Sequence, residues 1–395
     1  MRPLLITSCT SVSPLGPGSA AMLSALRESR GGLRPNDFER AEINTWIGRV
    51  EGLENQPVIG ELARYDCRNN RLAQLGLRQD GFEEAVRRAR KKYGAARIAV
   101  LIGTSTSGIL ETELAYQRRQ AGDGALPENF NYACTHNLFS VADFVARYLE
   151  LEGASLTIST ACSSSAKAFA SAHRFIEAGW CDAAVVGGVD SLCLTTLHGF
   201  AALELLSERP CKPCDAARDG ISIGEAAGFA LLEKPDRAKS DCALLGYGES
   251  SDAYHMSSPH PQGAGAWLSM SKALACAGLK PSDIDYINLH GTATPANDSM
   301  EDRAVYRLFG AEAPCSSTKG WTGHSLGAAG ITETIICLLC LKHEFIPGTL
   351  NLETPDAQLQ SHIISANQER PIERVLTNSF GFGGNNCSLV LGLAE

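Results

Sequence analysis

The chain has 395 residues, 44% of them hydrophobic and 20% charged, with a formal net charge of −9. That balance fits a large α/β core and argues against nucleic acid as the main partner. Fourteen cysteines in so long a chain do not describe a disulfide scaffold.

The length allows two or three domains, or one duplicated one. Cys276, Cys337, Cys340 and Cys387 lie in apolar helix or strand contexts, where a reduced cysteine packs as a small hydrophobe, which points to a reducing compartment. The start, MRPLLITSCTSVSPLG, reads as a strand and turn, not a signal peptide. No apolar run approaches the roughly 18 residues that a membrane span requires, so a cytoplasmic location is the expectation.

In chain order, residues 3–7 read as a buried strand and 19–28 as a helix, with an irregular excursion over 30–60. Helical spacing runs from Ala63 to Arg90 and sets Arg64, Arg68 and Arg71 on one face. That face is either a solvated surface or a docking patch for an acidic partner. RIAVLIG (97–103) is a continuous apolar run ending in glycine, the mark of a strand covered on both faces. A small-residue loop over 104–108, a helix, a loop over 120–132 and a helix at 137–149 follow.

Ser155–Ala178 is the stretch around which the rest is organised. Leu156–Ile158 forms a short strand, Ser159–Ser165 a turn of small residues, and an amphipathic helix carries Lys167, Phe169, Arg174 and Phe175. Cys162 lies where strand becomes helix, so first-turn N–H groups and the helix dipole are expected to favour its thiolate. Further strands are expected at 181–190 and 228–232, with 203–224 mostly loop. A strand at 240–249 starts the pattern again. Helix at 267–277, strand at 284–289 ending on His290, helix at 301–309, a glycine-rich turn holding His324 and a long apolar helix at 328–341 then lead to strands at 374–378 and 387–391. Two similar βα halves, 1–240 and 241–395, are the expected organisation.

A cysteine nucleophile needs a base or electrostatic partner, and the oxygen of the carbonyl it attacks needs donors. His290 in LHGTATPAND and His324 in STKGWTGHSLGAAG have suitable glycine-rich settings. Taken alone, each is equally compatible with a hydrogen-bonded structural histidine. Lys319 is either exposed or a buried charge turned towards Glu333. The pairs Cys211/Cys214 and Cys337/Cys340 raise a zinc reading, but the second lies inside an apolar helix, so no metal is expected. No nucleotide loop is present.

TACSSS at Cys162, HGTATPANDSME at His290, STKGWTGHSLGAAG at His324, DAARDGISIGEAAG, SDAYHMSSPHPQGAG and NSFGFGGNN follow one another in family order and span nearly the whole chain. Together they resemble the β-ketoacyl-[acyl-carrier-protein] synthases. The resemblance implies a thiolase-like five-layer α-β-α-β-α fold of duplicated halves, a homodimer or a heterodimer with a related subunit, and acyl carrier protein as partner. It implies acyl transfer to Cys162, then decarboxylative condensation with malonyl carrier protein in fatty acid, polyene or polyketide synthesis. No cofactor is expected beyond the phosphopantetheine that carries the substrates. By position, His290 and His324 become the paired catalytic histidines and Lys319–Glu333 their supporting ion pair. Backbone N–H groups of Cys162 and Phe382 become the oxyanion hole. Thr292 and Thr294 would bind the pantetheine arm, and Thr106, Phe200 and Phe380 the acyl chain. Glu204 stands where the family often has arginine, so carrier docking would fall to Arg64, Arg68 and Arg71. A non-elongating chain-length-factor subunit and a non-decarboxylating thiolase or acyltransferase are the competing readings.

Overall fold

A computed structural model describes residues 1–39 and 41–394. Ten strands carry the architecture: β1 (Leu4–Ser13), β2 (Ile98–Gly103), β3 (Ser155–Ile158), β4 (Ala183–Asp190), β5 (Ala226–Glu233), β6 (Cys242–Ser251), β7 (Tyr286–Asn288), β8 (Pro314–Ser316), β9 (Arg374–Gly381) and β10 (Asn385–Leu393). The first five pair in the spatial order β3-β2-β4-β5-β1, and the second five repeat it as β8-β7-β9-β10-β6. In both sets the first two pairings are parallel and the last two antiparallel. The duplication that residue identity hides is therefore explicit in the hydrogen bonding. The sets join where β1 runs antiparallel to β6 through Leu4–Leu244 and Leu5–Ala243.

The helices complete the layers. α1 (Gly18–Arg27), α2 (Arg68–Leu77), α3 (Phe82–Tyr93), α4 (Ile109–Gln117), α5 (Ser140–Tyr148), α6 (Ser164–Glu177) and α7 (Leu194–Ala202) belong to the first half. The second adds α8 (Ala264–Ala277), α9 (Pro295–Phe309), the single turn α10 (Lys319–Thr322) and α11 (Ala329–His343). α6 and α11 pack together between the two sheets, α2, α3 and α5 cover one outer face, and α8 and α9 cover the other. Every residue of α11 from Ala329 to Leu341 is buried, the carboxylate of Glu333 included. Phe169 and Ile335, fully enclosed in this middle layer, each contribute on the order of 1.5–3 kcal/mol. Gly103 permits the close approach: a Cβ there would lie 2.3 Å from the Ser165 backbone nitrogen, so α6 starts directly against β2.

Several local expectations are corrected. The segment 63–90 is not one helix. A 3-10 turn over Gly60–Tyr65 ends at Asp66 in extended backbone, and Gly81, at φ +69°, separates α2 from α3. Arg64 consequently does not share a helix face with Arg68 and Arg71. α9 begins six residues earlier than expected, because Pro295 occupies its first turn and the Thr294 hydroxyl accepts from the Asn297 N–H. Leu326–His343 does reach 18 residues at mean hydropathy 1.4, but 89% of it is buried inside the protein, which marks a core helix.

Candidate active site

Cys162 sits four residues beyond β3 and two before α6. Ala161 adopts φ +53°, a conformation costly for a residue with a Cβ. The turn is held by hydroxyls: Ser164 Oγ accepts from Thr160 N at 2.9 Å, and Ser163 Oγ donates to Thr160 O at 2.9 Å. The sulfur is therefore thrust into the interior at the helix start, as the spacing predicts. Its ionisation is not as predicted. Burial pushes the thiol up to about 11, outweighing the downward pull of Lys319 and of the Phe382 and Cys162 backbone N–H groups. At rest the group is a thiol, and a base must take its proton.

That base is in reach. His324 Nε2 lies 3.0 Å from Cys162 Sγ. Its backbone is clamped against the first half, with His324 N donating to Ser222 O (2.7 Å) and Gly224 N donating to His324 O (2.9 Å). His290 follows β7, and its ring meets that of His324 edge to face, with centroids 5.3 Å apart. Burial, reinforced by the Lys319 ammonium, holds both imidazoles well below their ordinary range, so both are neutral.

Lys319, one of the two alternatives left by the sequence, is buried at 2% exposure and ion-paired to Glu333. Its Nζ also lies 3.3 Å from His290 Nδ1. An ammonium can only donate, so Nδ1 accepts and the His290 proton resides on Nε2. Burial pushes Glu333 up to about 7 while Lys319 pulls it down. Cys162, His290 and His324 each offer a ligand atom within 4.8 Å of the others. A cation there would have to displace the Nε2 proton beside an existing ammonium charge, which the electrostatics oppose. The Cys211 thiol donates to Lys319 O, and Cys337 and Cys340 are buried in α11.

Most of the residues expected at the site line one cavity: Cys162, His290, His324, Phe200, Thr292, Thr294, Phe380 and Phe382. Phe380 packs at 5.9 Å against His290, and Phe200 at 5.6 Å against Phe382. Thr292 and Thr294 share a 3.0 Å hydroxyl contact at the cavity wall. Two expectations fail. Thr106 is not among the lining residues, and its hydroxyl and N–H both donate to Asp190. The docking triad also dissolves. Arg68 is buried and bound to Glu225 at 2.5 Å and Glu54 at 2.6 Å, and Arg71 is paired with Asp66 at 2.6 Å. Only Arg64 is exposed, lying over the Tyr65 ring. A helical wheel places charges on a face but does not reveal which carboxylates, such as Glu225 157 residues on, the fold brings to them.

Sequence reasoning missed Glu301. Its two oxygens accept the N–H groups of His290 and Gly291 at 2.8 Å each, and a third bond comes from Asn378 Nδ2 at 3.1 Å. It anchors the turn that presents His290. The signal lay in the run HGTATPANDSME, where an acidic side chain eleven residues on is carried back by α9. Asp298, on the same helix, accepts from Ala293 N and faces Arg218.

Residues 1–238 match the beta-ketoacyl synthase N-terminal domain and residues 242–353 the C-terminal domain. The chain is 33% identical to the 3-oxoacyl-[acyl-carrier-protein] synthase 2 of Coxiella burnetii over 99% of its length and 98% of the relative's. It is 34% identical to that of Rhizobium meliloti, over 99% of both. Among solved structures, the ketosynthase ApeO in complex with its chain length factor ApeC from Xenorhabdus doucetiae superposes with a TM-score of 0.91 at 39% identity, covering 100% of this chain and 98% of that one. The ishigamide ketosynthase/chain length factor gives 0.89 at 27% identity, covering both chains fully.

Proposed function

Because this chain belongs to the beta-ketoacyl synthase family and is an acyl-transferring condensing enzyme, we propose that it joins a Cys162-bound acyl group to malonyl-acyl carrier protein with loss of carbon dioxide. The observation that carries this reading is the 3.0 Å approach of neutral His324 to the Cys162 thiol, with His290 held beside it as a donor.

In the first step the thiol passes its proton to His324 Nε2 as sulfur bonds to the thioester carbonyl carbon. The oxyanion is met by the N–H groups of Cys162 and Phe382. Its collapse breaks the bond to the carrier's pantetheine sulfur, which leaves with the proton. In the second step the malonyl carboxylate departs as carbon dioxide, and its bonding pair forms an enolate. The His290 Nε2–H donates to the enolate oxygen in a water-poor cavity, His324 Nε2 having given its proton to the departing thiol. The enolate carbon attacks the Cys162 thioester, the C–S bond breaks with its pair on sulfur, the thiolate takes up a proton from solvent, and a 3-oxoacyl carrier two carbons longer departs.

The partners follow from the same reading. Acyl carrier protein delivers both substrates. The chain forms a dimer through its outermost strand β3, where Leu156 is 42% exposed, and the relative solved with a chain length factor favours a heterodimer over a homodimer. Co-expression with a chain-length-factor subunit, followed by light scattering, measures this. Mass spectrometry of the intact enzyme tests the chemistry: acyl carrier protein is expected to leave an adduct on Cys162, and malonyl carrier to release carbon dioxide. Elongation by Cys162→Ala overturns the mechanism.

A further inference from the structure

The His324 segment is fastened on a second side by a group with no role in the chemistry above. Asp190 closes β4, is fully buried, and reaches from the first half into the turn GHSLGAAG of the second. Its Oδ1 accepts from the Thr104 hydroxyl (2.6 Å), the Thr106 N–H (2.9 Å) and the Thr106 hydroxyl (2.8 Å). The Ser105 N–H lies 2.9 Å from both oxygens, and Oδ2 also accepts from the Gly327 N–H at 2.6 Å. One carboxylate therefore ties the loop after β2 to the backbone three residues beyond His324.

That connection matters because the turn is strained and its own bond, from Ala328 N to Ser325 O at 3.0 Å, lies beyond His324. Leu326 adopts φ +52°, unfavourable for a side chain with a Cβ. Gly327 is packed so tightly that a Cβ would lie 2.7 Å from Asp190 Oδ2 and 2.8 Å from Ser105 N. The Ser222 and Gly224 contacts restrain only the His324 backbone itself. Among the described residues His324 Nδ1 has no partner, so no hydrogen bond on that side aims the ring. The direction of Nε2 towards Cys162 must come from the backbone on both flanks.

We propose that Asp190 is a positioning residue for His324, its carboxylate bridging the 104–106 loop to Gly327 so that Nε2 stays within hydrogen-bond reach of the Cys162 sulfur. The donor set explains the residue type. Three backbone N–H groups converge on the side chain, so both of its ends must accept. An amide would turn an NH2 group against one of them. The inference rests on His324 acting in the reaction.

Asp190→Asn tests it. The expected result is a fall in condensation of about 100-fold, the order that an ångström of misplacement costs, with KM for malonyl carrier protein little changed. Alkylation of Cys162 by iodoacetamide is expected to slow because the displaced imidazole no longer takes the thiol proton, whereas loss of the Asp190 charge, which pushes the thiol up, would by itself speed it. A purely structural role lowers the melting temperature without slowing alkylation. Gly327→Ala attacks the same bridge from the other side and is expected to reproduce both effects, so the test survives if Asp190→Asn does not fold. Parental turnover and a parental alkylation profile in either folded variant overturn the proposal. A fully active His324→Ala overturns the underlying mechanism instead, which separates the two failures.

Discussion

Lys319 Nζ lies 3.3 Å from His290 Nδ1 while also pairing with Glu333, so one buried ammonium both sets the imidazole tautomer and neutralises a carboxylate on α11. The two tasks are separable. Lys319→Met is expected to lower malonyl decarboxylation by about 100-fold or more, as loss of a preorganised donor does. The double variant Lys319→Met/Glu333→Leu removes both buried charges and is expected to recover thermal stability but not decarboxylation. Calorimetry and carbon dioxide release measure the two independently, and recovery of both refutes the tautomer role.

Glu301 gives the fold a pH dependence. Burial pushes its carboxyl from the ordinary 4.5 up to about 7, against the pull of the Gly291, His290 and Asn378 donors. The folded state then binds the proton more tightly than the unfolded chain. The stability this contributes is fully present below about pH 4.5 and is lost as pH rises through about 7, to a total of about 3 kcal/mol. Glu333, raised to about 7 by the same cause, adds a loss in the same direction. Glu301→Gln is expected to flatten the slope, read from urea denaturation on either side of that window. An unchanged slope refutes the assignment.

The glycines after Phe382 should respond unequally. Gly384 has φ +72°, and a Cβ there would lie 2.7 Å from the Asp252 Cβ; Gly383 has φ +78°, but a Cβ would meet only Asn385 Nδ2 at 3.4 Å. Gly384→Ala is expected to displace the loop that presents the Phe382 N–H and to slow acylation of Cys162 by about 100-fold. Gly383→Ala carries backbone strain alone, of about 1 kcal/mol or more, with a milder kinetic effect. Equal effects refute the steric argument.

Arg68 belongs to the fold and not to a docking surface. Removing it leaves the wholly buried Glu225 without its cation, so Arg68→Ala is expected to cost about 3–5 kcal/mol of stability. KM for carrier protein, measured below the melting temperature, should stay unchanged. A raised KM without loss of stability restores the docking role.

The sequence by itself determined the family and a short set of reactive side chains. A cysteine at a strand-to-helix junction, two histidines in glycine-rich turns, and motifs in family order singled out Cys162, His290 and His324, which the structure brings to one cavity, because short motifs and hydrophobic periodicity are local properties. Only the tertiary structure decided the electrostatics. Whether Cys162 is thiol or thiolate, whether Lys319 is solvated or buried, and whether Arg68 is free or paired depend on burial and on partners that the fold brings up, such as Glu225, 157 residues from Arg68. Desolvation and charge pairing act through space, at distances that no reading along the chain contains.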